Sequence, residues 1–145
     1  MAFKVDRSRS IIGAMILGRR VTAMDVAWLR REVFADGRVS REQADELFAL
    51  ERAGIAVGRE WTEFFVEMIT DHIVWQSRPS GVVSDSQAEW LIEQADACAS
   101  VNGLAALVNV LAEAHRAPRW FLAAVRARAK RGWPGVDAAL AAAQN

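Results

Sequence analysis

Asp36-Gly37-Arg38-Val39-Ser40-Arg41-Glu42-Gln43-Ala44-Asp45-Glu46-Leu47-Phe48 decides how this chain reads, because it is used twice. It returns as Ser80-Gly81-Val82-Val83-Ser84-Asp85-Ser86-Gln87-Ala88-Glu89-Trp90-Leu91-Ile92, with Gly, Val, Ser, Gln, Ala and Leu on the same places. Each copy reads as a turn feeding a helix. Gly37 and Gly81 take the positive φ that a tight turn needs, and Val39 and Val83 point inward as the chain leaves it. Ser40 and Ser84 then cap orphan helix amides, while Gln43 and Gln87, three places on, reach back to the cap's own N–H.

Working outward, Thr22 caps a preceding helix whose Val26, Leu29 and Val33 form an apolar stripe, with Asp25 favourably placed in its first turn. The first phrase helix runs to about Ala53, and Gly54 and Gly58 bracket a short connection. Glu60 to Val74 is strongly amphipathic: Trp61, Phe64, Phe65, Met68, Ile69 and Ile73 share one side, and Glu60, Glu63, Glu67, Thr70 and Asp71 the other. Gln76-Ser77-Arg78-Pro79-Ser80 breaks that helix. The second phrase helix should carry Leu91, Ile92, Ala95 and Ala99 inward, and Asn102 is expected to cap a helix with Leu104, Leu107, Val108 and Leu111. Pro118 opens a helix through Trp120, Phe121, Leu122 and Val125. A short helix over Ile11 to Leu17, capped by Ser8 or Ser10, and an alanine-rich tail from Val136 complete the chain.

No stretch alternates apolar and polar residues, so the expected class is all-α, a compact bundle of about six or seven helices built from two pseudo-symmetric helix-turn-helix halves. A single domain of 145 residues is expected, with a first repeat over 22–55, a second over 60–99, C-terminal helices over 102–131 and a tail over 132–145. With 52% apolar residues the chain can bury a real core. Cys98 is the only cysteine, so no internal disulfide forms, and a reducing cytoplasm is the default expectation. No apolar run approaches the length of a membrane span.

Lys plus Arg equals Asp plus Glu, at 18 each, which gives no global case for nucleic acid or membrane binding. The charges are unevenly spread. Acids dominate from Asp36 to Asp96, whereas Arg116, Arg119, Arg126, Arg128, Lys130 and Arg131 form a basic C-terminal region. Arg119, Arg126 and Lys130 line one helix side opposite Trp120, Phe121 and Val125, extended by Arg116 and Arg131. That stripe either contacts phosphates or another acidic surface, or is neutralised by the acidic middle of the same chain.

Three constellations could carry chemistry. Aligned on its glycine, the first turn puts Glu32, Phe34, Asp36, Ser40 and Gln43 on the ligand places of a calcium loop. The second puts Gln76, Arg78, Ser80, Ser84 and Gln87 there, without one carboxylate. The candidate metal residues are therefore Glu32, Asp36, Ser40 and, separately, Glu51, which shares a helix side with Ala44, Leu47 and Phe48. A carboxylate there must pair, ligate or raise its pKa, unless it reaches the rim beside Arg52. Glu60, Glu63, Glu67 and Asp71 form a carboxylate row that a facing helix could complete with further acids, although a solvated face produces the same row. A metal-dependent enzyme using Glu51, Glu63 and Glu67 is the remote third class.

His72 falls on an apolar helix face and reads as a hydrogen-bonded core residue, His115 as a helix-terminal cap, and Cys98 as a small buried residue. There is no nucleophile elbow, phosphate-cradling loop, zinc-protease motif or dinucleotide fingerprint, so no enzyme and no cofactor is expected.

The paired phrase D-G-x-V-S-x-x-x-A resembles the TerB-like domains associated with tellurite resistance, over roughly Val21 to Ala99, with Asp36, Gly37, Val39 and Ser40 matching best. The likeness implies a compact helical unit with pseudo-symmetric halves and acidic residues near the turns that bind metal. Ser80 stands for the aspartate in the second copy, and Gln43 and Gln87 stand where glutamate is expected. The resemblance also implies a bacterial, stress-associated or membrane-proximal scaffold rather than a catalyst. The expected function is thus a non-enzymatic binding module whose partner is another protein, with weak or lost metal binding; the alternative is a nucleic-acid or acidic-surface binder using the basic C-terminal helix.

Overall fold

Thr22 and Asp25 start the first helix reciprocally: the Asp25 amide donates to the Thr22 hydroxyl at 3.2 Å, and the Thr22 amide donates to the Asp25 carboxylate at 2.9 Å. In the computed structural model, which describes Gly18 and residues 20–55 and 57–130, α1 spans Ala23–Trp28 and widens into a π turn over Leu29–Val33. Then come α2 (Arg41–Arg52), α3 (Arg59–Thr70, with a π turn over Asp71–Trp75), α4 (Asp85–Cys98), α5 (Val101–Glu113) and α6 (Arg119–Lys130). The expected all-α class holds: six helices and no strand lie among the described residues. The helix expected over Ile11 to Leu17, the tail and Arg131 fall outside them.

Both copies of the phrase have the local form that their residues dictate. Gly37 and Gly81 sit at φ 72° and 85°, in the left-handed region that an L side chain resists. Val39 and Val83 are buried behind them. Ser40 and Ser84 each accept from the amide three residues on, and Gln43 and Gln87 return a side-chain oxygen to the cap's N–H. The likeness reaches back into the preceding helices. Both α1 and α3 close on a wide bond, Phe34 N–H to Leu29 carbonyl at 2.9 Å and Gln76 N–H to Asp71 carbonyl at 2.8 Å.

What holds each turn differs. The first is clamped by side chains: Gln76 accepts from the Val39 amide at 2.7 Å and donates to the Val39 carbonyl at 2.8 Å. The second is held by backbone, with His115 N–H on the Gly81 carbonyl at 2.8 Å and Val83 N–H on the Arg116 carbonyl at 2.9 Å.

The core grows from α3, whose Trp61, Phe64, Phe65 and Ile69 are wholly buried as its periodicity predicts. Phe48 of α2 meets Phe65 edge-on at 5.0 Å and Trp90 of α4 at 5.7 Å, so the two phrase helices share one aromatic cluster with α3. α5 lies along α3, and α6 closes the far side with Phe121 and Val125.

Three expectations are corrected. Ala99 is not inward: it ends α4 at φ 46° and is exposed. The cap of α5 is Ser100, which accepts from Gly103 N–H at 3.0 Å; Asn102 is buried and bonded elsewhere. Trp120 is 40% exposed, because its indole N–H reaches the Asp85 carboxylate at 2.7 Å instead of entering the core.

Candidate functional site

Glu51 closes the last turn of α2 and is only 9% exposed, so it does not reach the rim beside Arg52. One oxygen accepts from Trp61 Nε1 at 2.6 Å and Asn102 Nδ2 at 3.0 Å, and the other accepts from Ser100 Oγ at 2.6 Å. All three donors are neutral. Burying a carboxylate demands partners, and these supply them from the first turn of α3 and the α4–α5 junction. Thr62 extends the set by donating to Asn102 Oδ1 at 2.9 Å. The chemistry of this hub is structural: both carboxylate oxygens accept from donors on other elements and so tie α2 to α3 and to the α4–α5 junction.

The other candidate metal residues do not join it. Ser40 and Glu51 lie at opposite ends of α2, about 16 Å apart at helical rise. Ser40 Oγ accepts from the Gln43 amide, Asp36 accepts from Arg38 N–H at 3.1 Å, and Glu32 accepts from Arg31 Nε at 3.3 Å. Phe34 is buried, and Gln43 answers the Ser40 amide. The oxygens of the first turn are thus directed at the turn's own amides and a neighbouring guanidinium. Among the described residues no group of three or more His, Cys, Asp or Glu side chains is placed to hold a metal ion.

The carboxylate row has a different setting. Glu63, Glu67 and Asp71 border an open groove of about 520 Å³ between α3 and α5, across which α5 presents Glu113. Val66, Val101 and Ala105 line it with apolar surface, between Thr62 at one end and Thr70 and Asn109 toward the other. Asn109 donates to Thr70 Oγ1 at 2.8 Å and to Glu113 at 3.0 Å, and Trp75 Nε1 donates to Glu113 at 2.7 Å, so the Glu113 end is held in place. Burial pushes the Asp71 carboxyl up from its ordinary range, and the neighbouring Glu67 and Glu113 charges push it further. No basic side chain lines the groove.

No protein-family model matches the chain, and no curated protein and no solved structure matches it. The groove and the hub are therefore read from their own geometry.

On α6, Arg119, Arg126 and Lys130 are exposed along one side, with Leu122 between them at 39% exposure. Arg116 is exposed at the bridge before the helix. Arg128 turns away from this stripe and grips Asp96 through Nε and Nη2 at 2.6 and 2.7 Å, which holds its guanidinium firmly protonated. Part of the basic region is therefore neutralised within the chain.

His72 lies against the first turn, its Nδ1 2.8 Å from the Val39 carbonyl and its Nε2 buried without a partner. His115 caps no helix; it stacks edge-on against Trp75 at 5.9 Å, beside Gly81. Cys98 is half-buried, 3.4 Å from the Ala95 carbonyl. Glu113 is the residue that sequence reasoning left unassigned: nothing local signals which helix will face the carboxylate row.

Proposed function

We propose that this chain is a non-enzymatic binding module, TerB-like in kind, that engages another protein through the groove between α3 and α5. The observation that supports it is the groove itself: a preformed open channel with an apolar floor and fixed polar ends, on helices whose opposite faces make the core. The buried hub around Glu51 keeps the ends of α3 and α5 in register, so the floor is rigid before anything binds. Filling the floor with Ala105→Trp should remove a set of proteins that the wild-type chain retains from extracts of its own organism. Glu89→Lys, on α4, should retain them. Retention that is identical for all three refutes the reading.

Metal binding has at most a weak part in this function, because the turn oxygens are already directed at amides. Calcium, magnesium or zinc should leave the melting temperature unchanged, and a concentration-dependent rise would restore the metal reading. A second reading, phosphate or acidic-surface binding by α6, is favoured by one observation: Arg119, Arg126 and Lys130 share a side and make no ion pair among the described residues.

A further inference from the structure

We infer that the occupant of the α3–α5 groove is a basic amphipathic helix of a partner protein, seated by its apolar side chains and flanked by Lys or Arg; this rests on the reading of the groove as a protein-binding site. Four carboxylates and no cation line a channel whose floor is Val66, Val101 and Ala105. That pattern asks for apolar groups in the middle and positive charge at the edges. Nucleic acid brings the wrong charge, and an acidic or neutral helix offers the carboxylates no positive group.

Spacing selects a helix. Glu63, Glu67 and Asp71 recur every four residues, so they form a row with about 6 Å between steps. A helix laid alongside repeats its own Lys or Arg side chains at the same interval. From Glu63 to Asp71 the rim extends about 12 Å, which matches a little over two turns of such a helix.

The existing partners of the rim differ in strength. Arg59 and Glu63 pair at 2.9 Å with side chains 87% and 59% exposed, whereas Arg30 holds Glu67 through both terminal nitrogens at 2.8 and 3.4 Å, with side chains 41% and 50% exposed and the guanidinium over the Phe64 ring. The Arg59–Glu63 pair is of the exposed kind that contributes little and re-forms readily with an incoming cation, and Arg30 leaves Asp71 at the far end of the row unanswered. Asp71 makes no ion pair among the described residues; burial first, and then the Glu67 and Glu113 charges, raise its pKa, and a positive group arriving there offsets those charges.

The test uses the full chain and a fluorescent fifteen-residue alanine-based helical peptide with Leu at four-residue spacing on one side and Lys and Arg beside it. Its Gln and Glu counterparts, which keep the Leu side, and spermine are measured in parallel by anisotropy and competition. Saturable binding of the basic peptide is expected, weakened at least tenfold by the Glu63→Gln/Asp71→Asn pair and by added salt, and abolished by Ala105→Trp. Val66→Lys gives a second block of the floor, and matching circular dichroism confirms that each variant is folded. Equal binding of all three peptides, lost with Ala105→Trp, overturns the charge-matched occupant while leaving the groove as a binding site. Binding of spermine alone overturns the helix in favour of a small polycation. Binding of nothing also overturns this inference, and retention from extracts then decides separately whether the groove binds protein at all.

Discussion

Replacing Glu51 with Ala takes the acceptor from Trp61 Nε1, Asn102 Nδ2 and Ser100 Oγ in one step. Trp61 is wholly buried and Asn102 is 9% exposed, so neither can turn to bulk water. Each orphaned donor costs about 1–3 kcal/mol. Ser100 is half-buried and keeps its contact to Gly103, so its loss is the smallest. Against these losses, the variant no longer desolvates a carboxylate, which returns part of the energy. The expected net destabilisation is about 2–4 kcal/mol, a large fraction of the 5–15 kcal/mol that holds an ordinary domain folded. Glu51→Gln should cost less, about 1–2 kcal/mol, since its carbonyl can still serve Trp61 and Asn102 while Ser100 rotates to accept. Urea unfolding followed by far-ultraviolet circular dichroism measures both, and avoids the fluorescence change when Trp61→Phe is added to complete a double-mutant cycle. A coupling of about 1–2 kcal/mol between Glu51→Ala and Trp61→Phe is expected. An Ala variant as stable as wild type, or additive effects, would refute the hub as a structural device.

The two turn glycines should respond unequally to alanine. Gly37→Ala meets open space and pays only for φ 72°, about 1–2 kcal/mol, whereas Gly81→Ala also drives a Cβ into the His115 ring. Urea midpoints should therefore fall further for Gly81→Ala, and His115→Ala in the same chain should bring it close to the Gly37 value; equal costs without that change would contradict the geometry. For His72, burial depresses the pKa, and Arg41 adds to this, while the Val39 carbonyl, Asp45 and Glu42 oppose it. The unfolded chain then takes up a proton near its ordinary value of about 6.5 while the folded chain resists, so stability is complete above that pH and falls as pH drops below it. Urea midpoints from pH 7.5 to 5 should show this loss in wild type and less of it in His72→Gln; parallel profiles would refute it. Heparin retention that weakens with salt and vanishes in Arg119→Ala/Arg126→Ala/Lys130→Ala would favour the basic side of α6, and unchanged retention in that variant would end this reading.

The capping boxes, the glycine turns and the buried side of α3 were legible because each is written within a few neighbouring residues. Ser40 with Gln43, and Trp61 with Phe64, Phe65 and Met68, need no knowledge of the rest of the fold. The partners of Glu51 were not legible. Trp61, Ser100 and Asn102 come from three further places in the chain, and only packing brings their donors to one carboxylate. The same demand explains why Asn102 does not cap α5: Glu51 and Thr62 claim its side chain, and Ser100, in extended backbone, takes the cap. The carboxylate row on α3 was visible as spacing, but its meaning changed once α5 set an apolar floor and Glu113 opposite it. Trp120 showed the limit of periodicity, since an indole with a carboxylate in reach can stay at the surface.

The grip of Gln76 on both backbone groups of Val39 has a consequence for how this protein can be divided. A carboxamide at the close of the second half's leading helix does what a neighbouring strand does elsewhere, and it serves the opposite half. An excised fragment ending at residue 55 would leave the Val39 amide and carbonyl without those partners and expose the Phe48 face. The repeated phrase therefore marks a shared local shape without marking a cleavable boundary, and the described helices should unfold as one cooperative unit.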